Sequence, residues 1–89
     1  MTTKVKTPAR SLNTIANEIY ENWNVKNSGT KLSPYAEPYL DAMSCLKNIN
    51  DNYGCDSGRS IVAYFLSNAT SWKGDKAREI KKELNKMLK

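Results

Sequence analysis

The chain has 89 residues, 39% hydrophobic and 26% charged, which is the size and make-up of one small globular domain and too apolar for a disordered chain of low hydrophobicity and high net charge. It has no histidine and two cysteines, Cys45 and Cys55, so histidine triads, histidine metal ligation and a four-thiolate zinc site are excluded. The longest apolar run is the six residues Ile61–Leu66, far short of the roughly 18 that a membrane span needs, and the basic stretch Met1–Arg10 is not followed by the apolar block of a secretory signal. A cytoplasmic protein with free thiols is the expectation.

Residues 1–10 read as a flexible basic arm and residues 11–89 as a single helical domain. Thr7-Pro8 can start a helix, with Pro8 at its first position, and Ser11 is a competing cap. Leu12, Ile15, Ala16, Ile19, Tyr20 and Trp23 then recur on one face of a 3.6-residue period, predicting a first helix to about Trp23. Asn24 to Ser33 reads as a loop around Asn27-Ser28-Gly29. Pro34 and Pro38 do not fit together in one helix interior, so a short turn at 34–37 precedes a second helix starting near Pro38. Its apolar stripe is Tyr39, Leu40, Met43, Leu46 and Ile49, which places Cys45 within the helix.

Asn50 to Gly58 reads as a second loop, with Asp56 or Ser57 capping a third helix. The β-branched start of that segment also allows a strand. The recurrence of Ile61, Val62, Phe65, Leu66 and Ala69, alternating with polar Ser60, Ser67 and Asn68, favours a helix. After a break at Thr70–Gly74, a fourth helix runs from about Asp75, or one turn earlier from Ser71, to Leu88. It carries Ala77, Ile80, Leu84, Met87 and Leu88, with acidic residues near its start and lysines near its end. The fold class is therefore all-α, a small bundle of about four short helices, monomeric or a small homo-oligomer. Trp23, Trp72, Tyr39 and Phe65 are expected to supply the largest core side chains.

The loop Asn50–Asp56 resembles a calcium loop, but with Gly54 as its sixth position Ile49 falls at the first ligand and Tyr53 at the fifth. Gly54–Ser60 echoes a phosphate loop, but it is one residue short, has Arg59 where lysine belongs and follows a helix instead of a strand. Ser57, Gly58, Arg59 and Ser60 sit at a helix start, where unpaired backbone N–H groups attract anions and Arg59 adds a fork of donors; the competing reading is a plain helix cap. Cys55 in the same loop lacks a histidine to support it as a nucleophile. Nothing points to an enzyme or to a cofactor.

The net charge of +5 is uneven. Residues 1–10 carry +3 through Lys4, Lys6 and Arg10, residues 11–72 carry −2, and residues 73–89 carry +4. Lys73, Lys76, Arg78, Lys81 and Lys82, with Lys86 and Lys89, alternate with Asp75, Glu79 and Glu83. They make a solvated helix face with ion pairs three residues apart, or a surface for phosphates. The order helix, Thr70–Gly74 turn, helix also matches a helix-turn-helix, although the glycine is out of its usual register.

The stretch Asp56–Ala69 (DSGRSIVAYFLSNA), with Trp72-Lys73-Gly74, Ala77–Lys81 (AREIK) and Pro38–Met43 (PYLDAM) upstream, resembles small uncharacterised proteins encoded by phages and mobile elements. The likeness covers roughly residues 12–88. It implies a short accessory protein that acts by binding a host or phage macromolecule and brings no catalytic residues with it. The leading expectation is a non-enzymatic module that contacts nucleic acid or a nucleoprotein through the basic arm and the last helix. The alternative is an inhibitor or modulator of a host protein, such as a defence or replication enzyme. Basic residues gathered on one surface favour the first; an exposed patch of Tyr35, Tyr53 or Trp72 favours the second.

Overall fold

The computed structural model describes residues 10–89. Thr7-Pro8 and the arm lysines Lys4 and Lys6 lie outside the described residues. Five helices and one minimal hairpin make up the described chain: α1 (Leu12–Asn22), α2 (Val25–Ser28), α3 (Glu37–Met43), β1 (Asn52–Tyr53), β2 (Asp56–Ser57), α4 (Gly58–Ser67) and α5 (Asp75–Leu88). The architecture is the expected small helical bundle with one extra helical turn and a two-residue ribbon.

Ser11 caps α1, its side chain accepting from the Thr14 amide. The first amides of α1 find partners far along the chain: Leu12 N–H donates to the Lys47 carbonyl (2.8 Å) and Asn13 N–H to the Leu46 carbonyl (2.9 Å). Helix starts leave such donors unsatisfied, and here the segment after α3 serves them. That arrangement corrects the expected second helix. α3 stops at Met43, because the backbone at Leu46 and Lys47 turns toward α1. The Asp51 carboxylate then accepts from the Lys47 and Asn48 amides and holds the turn. Leu46 is still buried and Ile49 half-buried, so the stripe keeps its apolar contacts without being helical. Cys45 accordingly follows α3 instead of lying inside it; both cysteines are exposed free thiols.

The loop expected at 24–33 contains a helical turn of its own. Asn24 accepts from the Asn27 amide at its start, and Gly29, at φ 86°, closes it in the left-handed region, an N-cap and a C-terminal glycine in their usual places. In the hairpin, Tyr53 pairs with Asp56 across Gly54-Cys55. Gly54 has a positive φ and Cys55 does not, the pattern of a two-residue turn with glycine first. The Ile61–Leu66 run is helical within α4.

The core is shared by α1, α3, α4 and α5. Trp23, Phe65 and Trp72 are at most 2% exposed and form one aromatic cluster: the two indoles stack at 5.5 Å, and Phe65 sits edge-on to both. The buried indole N–H groups are satisfied, Trp72 donating to Asn22 Oδ1 (2.9 Å) and Trp23 to Thr30 Oγ1 (3.2 Å), as buried polar groups require. Tyr39 packs at the edge of this core.

Candidate functional site

The charged residues are sorted by how α5 sits between α1 and α4. Residues three or four apart share a helix face. Ala77, Ile80 and Leu84 are buried. Lys76, Glu79, Glu83 and Lys86 follow along the edge toward α1. Arg78, Lys82, Asn85 and Lys89 form the opposite, outward stripe, with Lys81 between them and the core.

The α1 edge is electrically matched. Arg10 donates from Nε and Nη2 to the two Glu83 carboxylate oxygens (3.0 and 2.7 Å) and from Nη1 to Glu18 (2.5 Å). Lys76 Nζ lies 3.8 Å from both Glu18 and Glu79. The bonds from Glu83 first and Glu18 second raise the Arg10 pKa, and the bond from Arg10 holds the Glu18 carboxyl below its ordinary range. Arg10 is thus a clamp between α1 and α5, which corrects its assignment to a mobile phosphate-seeking arm. Lys76 belongs to the same network.

The outward stripe is different. Its carboxylate is Asp75, paired with Arg78; Lys73, Lys82 and Lys89 are exposed. Lys81 Nζ donates to the Trp72 carbonyl (2.6 Å) and lies 5.8 Å from the Trp72 ring centroid. Partial desolvation, then the nearby Lys73 charge, pushes the Lys81 ammonium below its ordinary value. The Lys81 ammonium thus reaches back from the middle of α5 to the turn that carries Lys73.

The group at the α4 start has partners inside the fold. Ser57 Oγ accepts from the Ser60 amide (3.1 Å) and donates to Ser60 Oγ (3.1 Å), and the Gly58 amide donates to the Asp51 carbonyl (2.7 Å). Arg59 Nη1 donates to the Leu88 carbonyl (3.0 Å), closing the last turn of α5. Two of the first three helix amides are thus occupied, and the carbonyl end of α5 lies beside the amide end of α4. An incoming anion meets a cap that is already built.

The same contact fixes the topology of the pair. A guanidinium on the first turn of α4 reaches the last turn of α5 only if the helices run antiparallel. The helices of a helix-turn-helix cross at about 90–120°, which would carry these two ends far apart, so the helix-turn-helix order seen in the sequence is an antiparallel hairpin. Arg59 lies at one end of it and Lys73 and Lys76 at the other, separated by the ten residues of α4, about 15 Å. The residues singled out in the sequence form no single pocket. They divide into a cap (Ser57, Gly58, Arg59, Ser60), an α1-side network (Lys76) and an outward basic stripe (Lys73, Arg78, Lys82, with Lys81 behind them).

Sequence reading missed the Arg10 clamp, whose partner is 73 residues away, and the exposure of Tyr64, which is 53%. Among the described residues no helix is long and apolar enough to cross a membrane.

Comparison with protein families, with curated proteins and with solved structures gives no match.

Proposed function

We propose that the protein is a non-enzymatic accessory protein of a phage or mobile element that binds nucleic acid or a nucleoprotein in the host cytoplasm, through the outward stripe of α5. The observation that carries this reading is the separation of charge on α5. Glu79 and Glu83 lie on the α1 edge, where Lys76 and Arg10 match them, while Lys82 and Lys89 stand exposed on the outward stripe, with Lys73 exposed in the turn before the helix. Phosphates are the anions that such a row of flexible cations meets best.

The test is binding of labelled DNA and RNA at low salt, about 50 mM. About four phosphate contacts give a slope of log affinity against log salt of about −3 to −4 on duplex DNA. Replacing Lys73, Arg78, Lys82 and Lys89 by Gln should flatten it, whereas Lys76→Gln should leave it unchanged. No binding at low salt, or a variant that binds as well as wild type, rejects the reading.

A host-protein partner is the second reading. Tyr35 (76%) and Tyr53 (46%) are exposed, and exposed tyrosines suit protein interfaces. Trp72, the third member of that expected patch, is fully buried and takes no part. Capture from host lysate that survives nuclease and is lost in Tyr35→Ala/Tyr53→Ala would favour this partner.

A further inference from the structure

The outward stripe of α5 borders a surface of a different kind. α4 buries Gly58, Ile61, Val62 and Phe65 and turns Ala63, Tyr64 and Ser67 outward, with Ser60 half-exposed. Ser60, Ala63 and Ser67 are spaced three and four apart, so one face of α4 carries a strip of small side chains. On the α3 side of this strip stands Tyr64, 53% exposed, its ring tilted 32° against Tyr39 with centroids 5.4 Å apart. Tyr39 is half-buried and backs one side of the Tyr64 ring. On the other side of the strip lies α5. Because Arg59 meets Leu88 and the two helices have equal rise, five residues inward from each brings Tyr64 level with the Lys82–Glu83 step. A held aromatic ring, a strip of small uncharged side chains and a row of cations therefore follow one another across α4 and α5.

This deepens the nucleic-acid reading and rests on it. We infer that the surface takes single-stranded nucleic acid, with a base stacked on the open side of Tyr64 and the sugar–phosphate chain crossing the small residues of α4 toward Lys82 and Arg78. Charge complementarity selects the phosphate chain. The exposed ring selects the strand: a base inside a duplex has both faces covered by its neighbours, whereas an unpaired base offers one, and basic grooves with stacking aromatics are the common device of single-strand binders.

The experiment compares a labelled oligothymidine of about twelve nucleotides with a duplex of equal length. Wild type should bind the single strand more tightly. Tyr64→Ala should weaken single-strand binding on the order of tenfold and leave duplex binding unchanged. Tyr64→Leu, which keeps an apolar contact with Tyr39 but has no ring face, should match it, and Tyr64→Phe should retain wild-type affinity. Circular dichroism melts would establish that all three fold. If Tyr64→Ala binds the single strand like wild type, or loses both substrates equally, stacking is overturned while the basic surface stands. If wild type binds neither substrate, the nucleic-acid reading falls as well.

Discussion

Trp23 and Trp72 lie face to face, ring centroids 5.5 Å apart and planes 16° from parallel. The first closes α1 and the second sits in the turn before α5, so their stacking ties the end of the first helix to the start of the last. Trp72→Ala should cost about 3–5 kcal/mol, the usual range for a buried aromatic. Trp72→Phe should cost less, since it keeps an aromatic ring against Trp23 and loses only the bond to Asn22 and part of the ring overlap. Urea unfolding followed by circular dichroism reads both; a loss under about 1 kcal/mol for the alanine variant would contradict a buried stack.

Gly58 offers a test in which two effects have opposite signs. Alanine is favoured over glycine inside a helix by up to about 1 kcal/mol. At Gly58, however, an added Cβ would lie 2.7 Å from the Ile49 carbonyl oxygen and 3.2 Å from that of Asn48. The clash is with backbone held by Asp51, so it should win. Gly58→Ala is expected to destabilise by about 1–3 kcal/mol, measured by chemical denaturation. A gain in stability would show that the 47–51 turn yields easily.

The Arg10 clamp should be modest and salt-sensitive. Its side chain is 34% exposed and that of Glu83 is 29% exposed, so solvent screens the pair. Arg10→Ala should cost about 1 kcal/mol. Paired with Glu83→Gln, it should lose less than the two single changes added together. Thermal melts in low and high salt would check this; strict additivity would show that the pair does not act as a unit.

Glu18 makes the same network acid-labile. The bond from Arg10 lowers its pKa from an ordinary 4.5, so between the two values the unfolded chain binds more protons than the folded one. The stabilisation is complete above the ordinary value and is lost as pH falls through the lowered one. The difference in melting temperature between wild type and Glu18→Gln should be largest near pH 7 and shrink steadily below about pH 4. A difference independent of pH would mean that the carboxylate is not engaged.

Local periodicity made α1, α4 and α5 legible. The steps of three and four at Leu12–Trp23, Ile61–Ala69 and Ala77–Leu88 are produced by the burial that shapes each helix. The end of α3 was not legible, because it depends on partners at Leu12 and Asn13, more than thirty residues upstream. The turn at Val25–Ser28 did carry its signals, Asn24 and Gly29, but one helical turn has too few apolar positions to show a period. At the candidate surface, the two charged stripes of α5 can be separated by spacing alone. Which of them faces α1 cannot, since that follows from packing and from Arg10. The role of Arg59 was likewise hidden: a residue just inside a helix start looks like an anion ligand until the carbonyl end of another helix is placed beside it.

The bond from Leu12 N–H to the Lys47 carbonyl sets an order on biosynthesis. On the ribosome the α1 sequence emerges first, yet the acceptors for its first amides are not yet made. Until Leu46 and Lys47 have left the exit tunnel, and Asp51 has followed to shape the turn that presents them, the first amides of α1 have only water and the Ser11 cap as partners. The tertiary seal on the start of the first helix is therefore added only when the segment after α3 has been made.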